Sequence, residues 1–378
     1  MGELDLLTIR ISQPRASTRW EEKPPLIRLR RWCVVSKDGH AEVNQLRASA
    51  GAQRDLAELE VLLEVAPFLR GGLLWPESWR FRSVSVMPMP VLYCRDSLNP
   101  RRADEHFALE AREVRACGGT VGLIDHDALL QGDAQQAVAQ VPAGLGSAWY
   151  RGWMIPSDRY AALAEALSRR GTELLVTPEQ YRTAHELPGW YATFVDITPA
   201  SVWRPTKPGE MLTADDLAAL AEPLPPGAGI VKDYVKSRKH EWEQACFIPD
   251  LADAMELTRV VQRFLELQEE FLAGGIVLRA FEAFLQLESV TAEVRVWWLD
   301  GEPRLLTPHP DSPFGRGLVP DLDHIGPAVR RLGCRFVTTD VALRSDGVWR
   351  VVEVGDGQVS DLHQSSSRGD LAALLVGP

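Results

Sequence analysis

Hydrophobic and polar positions follow two different patterns along this chain, and the change falls near residue 200. Between residues 89 and 199, short apolar runs alternate with amphipathic stretches that carry helix-start and helix-end signals. This strand-then-helix order predicts an α/β fold with a parallel sheet and helices on its faces. In the C-terminal half, two-residue alternation joined by Asp-Gly turns predicts antiparallel hairpins and an α+β arrangement.

A proline-rich break at residues 199–208, repeated at 223–226, predicts a boundary between the two patterns. We therefore divide the chain into three predicted parts. Residues 1–86 are an N-terminal extension of unknown role, in which only residues 55–69 indicate a helix. Residues 87–208 are the parallel α/β domain, and residues 209–378 are the C-terminal domain.

The most informative segment is a predicted hairpin near the C-terminus, which turns at the Asp-Gly pair 346–347. If those two residues form the loop, Ser345 faces Val348. The same register makes Asp340 a direct cross-strand neighbour of Glu353.

Two carboxylates in that register would have Cβ atoms about 4.5–5.5 Å apart, a distance at which like charges oppose strand pairing. A divalent cation would remove the repulsion, and oxygen ligands of this kind suit Mg²⁺ together with substrate phosphates. Asp340 and Glu353 are therefore candidate metal ligands. A solvent-exposed edge hairpin whose register slips by one residue is the alternative.

A basic segment follows the predicted strand that begins at Gly229, and it holds Lys232, Lys236, Arg238 and Lys239. Lys232 and Lys236 share one strand face, where their ammonium groups could bind phosphate. A solvent-exposed edge would show the same composition. The glycine and lysine spacing of a P-loop is missing.

A second hairpin is predicted to turn at residues 300–301, with Glu293 and Arg295 on one face. These residues either face solvent or point into a cleft shared with Asp340 and Glu353. In a cleft, Arg295 would neutralise charge on a phosphoryl group.

Arg151 comes directly after a predicted strand at residues 147–150 of the parallel sheet. Ligands of such sheets gather at the carboxyl ends of the strands. Arg151 is therefore either a binding residue for a substrate carboxylate or phosphate, or a surface residue in a turn.

Composition narrows the class of protein. The 378 residues are 45% hydrophobic, which is enough for a full core, and the net charge of −11 argues against a nucleic-acid-binding surface. Five cysteines without metal-ligand spacing indicate buried thiols in a reducing compartment. The sequence has no long apolar run and no export signal at its start, so we expect a cytoplasmic protein without a membrane partner.

Several motifs occur in a fixed order that resembles the ATP-grasp superfamily, and in particular its clade named for one arginine and two lysines. The resemblance spans roughly residues 90–360. It is carried by Ile-Val-Lys232, the basic loop, a long helix, Val-Leu-Arg279-Ala-Phe-Glu282, Glu293-Val-Arg295, Asp340 and Val-Val-Glu353-Val-Gly-Asp356. It implies a parallel-sheet domain that precedes a two-lobed ATP-grasp domain.

The resemblance also implies roles for individual residues. Lys232 and Lys236 would contact ATP phosphates, and Arg295 would face the transferred phosphoryl group. Glu293 would be a further cofactor-binding residue. Adenine and ribose would meet a hinge formed by Arg279, Phe281 and Glu282. Asp340 and Glu353 would hold Mg²⁺. The family commonly has asparagine where this chain has Gly355, and Asp356 is the candidate to replace it.

The implied function is an ATP- and Mg²⁺-dependent ligase that activates a carboxylate as an acyl phosphate for attack by an amine. Lys236 and Arg295 would be its catalytic cations, and its partners would be small-molecule or peptide substrates. A phosphotransferase on the same fold and a nucleotide-binding module without turnover are the alternatives. The sequence does not determine the oligomeric state.

Overall fold

The computed structural model describes residues 2–8, 28–35, 41–47, 88–287, 290–310 and 318–377. Contacts divide the chain into two units, Met1–Ser85 and Val86–Pro378. In the first unit, three strands form an antiparallel sheet in chain order: β1 Gly2–Thr8, β2 Arg28–Val35 and β3 Ala41–Arg47. The helix predicted at residues 55–69 lies outside the described residues.

The second unit begins with the predicted parallel sheet. Its strands lie in the order β5-β4-β6-β7, and each neighbouring pair is parallel: β4 Val91–Cys94, β5 Val121–Ile124, β6 Gly146–Arg151 and β7 Thr172–Leu174. All four residues of β4 are fully buried, as expected for a central strand covered on both faces. The α/β expectation for this part of the chain is confirmed.

Helices accompany each strand of this sheet. They are a 3₁₀ turn Glu105–Phe107, α1 Ala108–Ala116, α2 His126–Leu130, α3 Ala134–Ala137 and α4 Ser157–Ser168, and the last helix of the chain, α11 Arg368–Val376, packs against α1.

Helix α5, Pro178–His185, begins with a capping box. The Thr177 hydroxyl accepts from the backbone N–H of Gln180 at 3.2 Å, and the Gln180 side chain accepts from the Thr177 N–H at 3.2 Å. This exchange satisfies two donors that the helix itself leaves open. The cap therefore fixes the start of a helix whose last residue, His185, lies near the candidate site described below. Helix α6, Leu187–Phe194, follows directly.

The C-terminal half begins with an antiparallel sheet in the order β10-β9-β11-β8, formed by β8 Ser201–Pro205, β9 Gly229–Asp233, β10 Phe247–Ile248 and β11 Gly275–Ala280. Its helices are α7 Ala214–Ala221, α8 Trp242–Ala245 and α9 Ala254–Gln268, with 3₁₀ turns at Lys239–Glu241 and Glu269–Phe271. Strand β8 lies inside the proline-rich segment 199–208, where the sequence predicted a boundary, and it pairs with β11 at the edge of this sheet. The three-part division stays a prediction.

A second antiparallel sheet follows in the order β15-β14-β16-β17, formed by β14 Glu293–Leu299, β15 Glu302–Pro308, β16 Phe336–Leu343 and β17 Trp349–Asp356. We call it the C-terminal sheet. A short ribbon of β12 Gln286–Leu287 and β13 Val290–Thr291 precedes it, and α10 Gly326–Leu332 lies between β15 and β16 in the sequence. Helices α5 and α6 pack against β17. In the part of the chain that the structure describes, no helix is both long and apolar enough to cross a bilayer.

The hairpin at residues 300–301 has the predicted two-residue turn. Leu299 pairs with Glu302, and both turn residues have positive φ, 52° at Asp300 and 80° at Gly301. A type I′ turn requires this geometry at both positions. Further along, Arg304 is an extra residue in β15, because Trp297 pairs with Leu305 while Trp298 pairs with Pro303.

The last hairpin has the predicted pairing of Asp340 with Glu353, but its turn differs from the prediction. Arg344 and Val348 close the turn, so the loop has three residues and Ser345 does not face Val348. Gly347 has φ of +87°, as the left-handed position of a three-residue loop requires. Val352 is then an extra, bulged residue in β17, which shifts the register by one and restores the pairing of Asp340 with Glu353. The two-residue turn was wrong, and the cross-strand pair is observed.

Candidate functional site

One face of the C-terminal sheet carries a row of charged side chains on three neighbouring strands. Arg295 of β14 lies opposite Asp340 of β16, and Asp340 lies opposite Glu353 of β17. Glu293 is two residues before Arg295 and so shares this face. The structure therefore brings together four residues that the sequence placed in separate motifs.

Arg295 and Asp340 form a buried bidentate ion pair. The guanidinium donates from Nε to Oδ1 at 2.7 Å and from Nη2 to Oδ2 at 2.8 Å, and its Nη1 donates to the carbonyl of Asp361 at 2.8 Å. Burial by itself would raise the pKa of Asp340, but Arg295 and then His309 hold that pKa below its usual range. Asp340 is therefore an ionised carboxylate in a site that excludes most water.

Glu353 has its own cation. The Lys232 ammonium on β9 donates to Glu353 Oε1 at 3.1 Å, so the contact joins the two sheets of the C-terminal half. Burial acts to raise the pKa of Glu353, but Lys232 acts in the opposite direction, and the pKa is lower than usual. The side chain of Lys232 is buried, whereas that of Glu353 is partly exposed. Lys232 and Glu353 thus stand at the border between the core and an accessible surface.

The basic loop after β9 is held in shape by Asp233. Its Oδ1 accepts from the backbone N–H groups of Val235 at 2.7 Å and Lys236 at 2.5 Å, while Oδ2 accepts from Gln268 Nε2 at 2.7 Å. Arg238 donates to the carbonyl of Leu267 and so ties the loop to the end of α9. Lys236 lies in this loop and is exposed.

His185 lies close to these lysines, which the sequence did not indicate. Burial, together with Lys236 and Lys232, lowers the pKa of His185 to about 4, although Glu353 acts in the opposite direction. Its ring stacks on Tyr181 with centroids 5.0 Å apart. A neutral imidazole therefore borders the basic loop at neutral pH.

A cavity of about 1240 Å³ opens beside this loop. It is lined by parts of residues 154–161, 178–186, 233–241 and 268–274, and these include Lys236 and His185. The volume is large enough for a small-molecule substrate or for part of a peptide.

The predicted hinge residues have different surroundings. Arg279 is buried and donates to the carbonyl of Val352 at 2.6 Å and to Thr198 at 2.5 Å, and burial lowers its pKa to about 10. Glu282 accepts two hydrogen bonds from Arg350 at 3.0 and 2.8 Å. Phe281 is 44% exposed. Phe281 is therefore the hinge side chain with the most accessible surface.

An aromatic cluster surrounds Phe281. Its ring meets Phe247 edge-on with centroids 5.4 Å apart, and Trp242 stacks on Phe247 at 5.4 Å. Trp242 and Phe247 were not singled out from the sequence.

His309 is the main residue that sequence reasoning missed. Its Nε2 lies 3.4 Å from Asp340 Oδ2. Continuing the register past the pair of Val294 with Pro308 puts His309 opposite Glu293. A register counted from the 300–301 turn alone would put Pro308 there, because the extra residue Arg304 is not visible in the sequence.

Asp356 does not join the metal candidates. Glu353 pairs with Asp340 while Asp356 pairs with Val337, so the two acids point to opposite faces of the sheet. Asp356 is fully buried and accepts from the backbone and side-chain amides of Gln358 at 2.9 and 3.1 Å. Burial raises its pKa to about 7. The two-residue period of a strand already excludes position 356 from the face of 353, and this signal was overlooked.

Arg151 lies in the core rather than in a cleft. Its side chain is 0% exposed, and it donates to Glu110 from Nε at 2.8 Å and from Nη2 at 3.0 Å. The remaining Nη1 donates to the carbonyl of Gln358 at 3.0 Å. Phe107 and Trp297 flank the guanidinium. The sequence could not indicate this partner because Glu110 comes from α1, far away in the chain.

Asp340 and Glu353 fit a bound Mg²⁺. They are direct cross-strand partners, both pKa values are lowered, and both offer the hard oxygen ligands that Mg²⁺ requires. The assignment of all these side chains to binding roles stays a prediction, and their positions are what the structure adds.

Residues 221–375 match a family model for the ATP-grasp domain, family 3 of the clade named for one arginine and two lysines. No curated protein matches the chain. Among solved structures, D-cycloserine synthetase DcsG is similar at a TM-score of 0.49 and 14% identity, covering 75% of this chain and 98% of that one.

Two further structures show the same degree of likeness. The ATP-grasp ligase PsnB, complexed with minimal precursor, Mg and ADP, has a TM-score of 0.46 at 14% identity and covers 76% and 96% of the two chains. A RimK domain ATP-grasp protein from Sphaerobacter thermophilus has a TM-score of 0.46 at 16% identity and covers 76% and 100%. The family assignment depends on the domain match.

Proposed function

Residues 221–375 form an ATP-grasp domain of the one-arginine, two-lysine clade, and from this premise we propose that the protein is an ATP- and Mg²⁺-dependent ligase. It would activate a carboxylate as an acyl phosphate and pass the acyl group to an amine. ATP-grasp enzymes use ATP and Mg²⁺, and these are therefore the cofactors of this domain. The acid and the amine are small molecules or peptides.

The observation that carries the proposal is the alternation of charge from Lys232 through Glu353 and Asp340 to Arg295. Each carboxylate has a cation in direct contact, at 3.1 Å for Glu353 and 2.7 Å for Asp340. A triphosphate needs both kinds of charge, because cations neutralise its oxygens and carboxylates hold its metal. A solvent-exposed hairpin face would need neither the burial nor the pairing.

The proposed reaction has two steps. A carboxylate oxygen of the acid attacks the γ-phosphorus of ATP, and the bond from that phosphorus to the bridging oxygen of ADP breaks. The amine nitrogen then attacks the acyl carbon, the bond to the phosphate oxygen breaks, and the amine loses one proton as inorganic phosphate leaves. No protein nucleophile is required, so the protein acts by positioning and charge neutralisation.

The side chains divide this task. Lys232 and Lys236 would bind phosphate oxygens, and Arg295 would face the transferred phosphoryl group. Asp340 and Glu353 would hold Mg²⁺, which neutralises phosphate charge when it is bound.

Adenine would contact Phe281 at the hinge, where that side chain is exposed. Since Arg279 and Glu282 are engaged in internal contacts, they would shape the hinge rather than touch the base. The cavity beside Lys236 would receive the acid or the amine.

The cytoplasm is the proposed compartment. Among the described residues, the cysteines at positions 94, 117, 246 and 334 are free thiols. Free thiols of this kind are usual where glutathione and thioredoxin keep proteins reduced.

The test is product analysis with ATP, Mg²⁺ and pooled amino acids and peptides as acids and amines. A ligase releases ADP and inorganic phosphate together, and only when an acid and an amine are both present. Release of ADP with the phosphate retained on a product would identify a phosphotransferase. Nucleotide binding without ADP release from any pool would identify a binding module and would overturn the proposal.

A further inference from the structure

A second group of possible cation ligands lies next to the proposed Mg²⁺ pair. Glu293, His309 and Asp340 each offer one ligand atom, and these atoms all lie within 4.8 Å of one another. The three residues are only 7%, 6% and 3% exposed. Two ligands on opposite sides of one ion stand about 4.4 Å apart, twice a metal–ligand distance of roughly 2.2 Å. The spacing of the three atoms is thus close to that of ligands to a single ion.

Glu293 is the residue that points to a missing ligand. No described residue donates a hydrogen bond to its carboxylate, although the side chain is more than nine-tenths buried and belongs to this cluster. A buried carboxylate without a hydrogen-bond donor is costly, because it loses its hydration without replacement. A cation between Glu293 and its neighbours would supply the missing interaction.

The charges on this face also leave room for a cation. Three carboxylates, Glu293, Asp340 and Glu353, share it. The permanent cations in direct contact with them are Arg295 on Asp340 and Lys232 on Glu353. These two pairs account for two of the three carboxylates. On the third, Glu293, the opposing charges are those of His309 and then Lys239.

Asp340 can accept a further partner despite its ion pair. Arg295 uses one acceptor position on each oxygen of Asp340. A carboxylate offers about four such positions, and the second position on Oδ2 faces His309 Nε2 at 3.4 Å. A metal ion bound between Asp340 and His309 would take the place of that contact.

Position 355, near the end of β17, is crowded for a further side-chain ligand. A Cβ atom at Gly355 would stand 3.2 Å from Thr338 Oγ1 and 3.3 Å from Ser360 Oγ, and these hydroxyls bond to each other at 2.7 Å. The space for a side chain at position 355 is therefore filled by a hydroxyl pair. The side chains next to Asp340 that could add ligands are Glu293 on β14 and His309 directly after β15.

We propose that Glu293, His309 and Asp340 form a cation site of their own, adjacent to the Asp340–Glu353 pair, which binds a divalent ion without nucleotide. One imidazole nitrogen among two carboxylates favours a transition-metal ion such as Mn²⁺ over Mg²⁺, because Mg²⁺ prefers oxygen ligands throughout. The site does not depend on the proposed ligase activity, since it needs neither ATP nor a substrate.

The test is pulsed electron paramagnetic resonance on the full chain, freed of metal by a chelator and loaded with one equivalent of Mn²⁺ alone. Bound Mn²⁺ should show ¹⁴N modulation from a directly coordinated imidazole. Protein labelled with ¹⁵N-histidine should lose the ¹⁴N pattern, and this comparison needs no substitution. Absence of Mn²⁺ binding, or bound Mn²⁺ without nitrogen coupling, would overturn the proposal.

Variants assign the signal to the residue. His309→Gln should remove the nitrogen coupling and weaken Mn²⁺ binding by at least about 10-fold, since loss of even an outer partner of a metal site costs roughly 10- to 100-fold. His106→Gln is the matched control, because His106 also contacts an aspartate, Asp361 at 2.9 Å, outside the cluster. It should bind Mn²⁺ like the wild type. Coupling that persists in His309→Gln would exclude His309 as the ligand.

A second measurement compares metals. Mn²⁺ should compete with Mg²⁺ for the site in favour of Mn²⁺, and Glu293→Gln should weaken both. Equal affinity for the two ions in the wild type would contradict an imidazole ligand. ADP release measured separately then tells whether the ligase proposal stands.

Discussion

Glu353 and Asp356 lie three residues apart on β17, face opposite sides of the C-terminal sheet, and have pKa values that move in opposite directions. Burial disfavours the charge of both carboxylates. Lys232 contacts Glu353 and lowers its pKa, whereas Asp356 has amide partners from Gln358 and its pKa rises to about 7. The Asp356 Oδ2 has no hydrogen-bond partner among the described residues. A contacting cation, rather than burial, decides which acid stays ionised.

The arginine pairs show a related difference. Arg151 with Glu110 and Arg295 with Asp340 are both buried bidentate pairs. Aromatic rings and a backbone carbonyl surround the first pair, whereas a further acid, Glu293, and an imidazole, His309, adjoin the second. We interpret the first pair as structural and the second as part of a binding site.

The largest expected effect comes from breaking the ion pair of Arg151 with Glu110. Arg151→Met leaves Glu110 as a buried charge without a partner and should cost about 3–5 kcal/mol of unfolding free energy. Guanidinium unfolding measures this loss. The double variant Arg151→Met with Glu110→Met should recover most of it, because it removes both charges. If Arg151→Met instead kept its stability and raised the KM for one substrate, the predicted substrate role of Arg151 would be supported.

Asp356 gives a pH-dependent effect. Its pKa in the folded protein is about 7, above the usual 3.8. The folded state therefore binds the proton more tightly than the unfolded state does. The resulting gain in unfolding free energy is complete below pH 4 and is lost as the pH rises to about 7. Asp356→Asn should remove this loss and be more stable than the wild type by about 2–4 kcal/mol at pH 8, at about 1.4 kcal/mol for each pKa unit. Urea unfolding at pH 5 and pH 8 measures the difference, and identical pH slopes in both proteins would refute the explanation.

Glu353→Gln tests the other face of β17. It should reduce Mg²⁺-dependent ADP release by about 100-fold or more, since a direct metal ligand should cost at least what an outer partner does. The fold should persist because the side chain is partly exposed and glutamine can still accept from Lys232. Wild-type rates in this variant would remove Glu353 from the metal site.

The smallest of these effects is expected for Lys232→Met. Loss of one charge-assisted hydrogen bond to phosphate should raise the Kd for ATP about 10-fold, as calorimetry can measure. Lys207→Met is the matched control, because it removes an exposed lysine that is not among the proposed nucleotide-binding residues. Equal ATP affinity in the two variants would count against the phosphate role of Lys232.

The sequence predicted the parallel sheet, the two C-terminal hairpins and their charged face because strand alternation and Asp-Gly turns are local signals. It did not predict the three strands between residues 2 and 47. It did not reveal the two bulges, at Val352 and Arg304, because a bulge depends on how two strands settle against each other. At Val352 the bulge cancelled an error in the predicted turn. At Arg304 the bulge places His309 opposite Glu293, a pairing that the sequence did not predict.

Long-range partners were equally invisible. Arg151 pairs with Glu110, which lies on a helix and is 41 residues earlier in the sequence. Lys232 and Glu353 are in contact although 121 residues separate them. The alternation of side chains along a strand tells which face of the sheet a residue lies on, but not which residue it contacts. The position of Asp356 is a simpler case, because strand alternation alone places it on the face opposite Glu353.

The bulged Val352 also determines how the last hairpin can change length. Deleting one residue from the tip, or deleting Val352 alone, would rotate Glu353 away from Asp340, since a one-residue slip turns every side chain to the other side. Deleting both would keep the two acids together. Natural relatives and engineered versions that retain the acid pair should therefore gain or lose residues between these strands in compensating pairs.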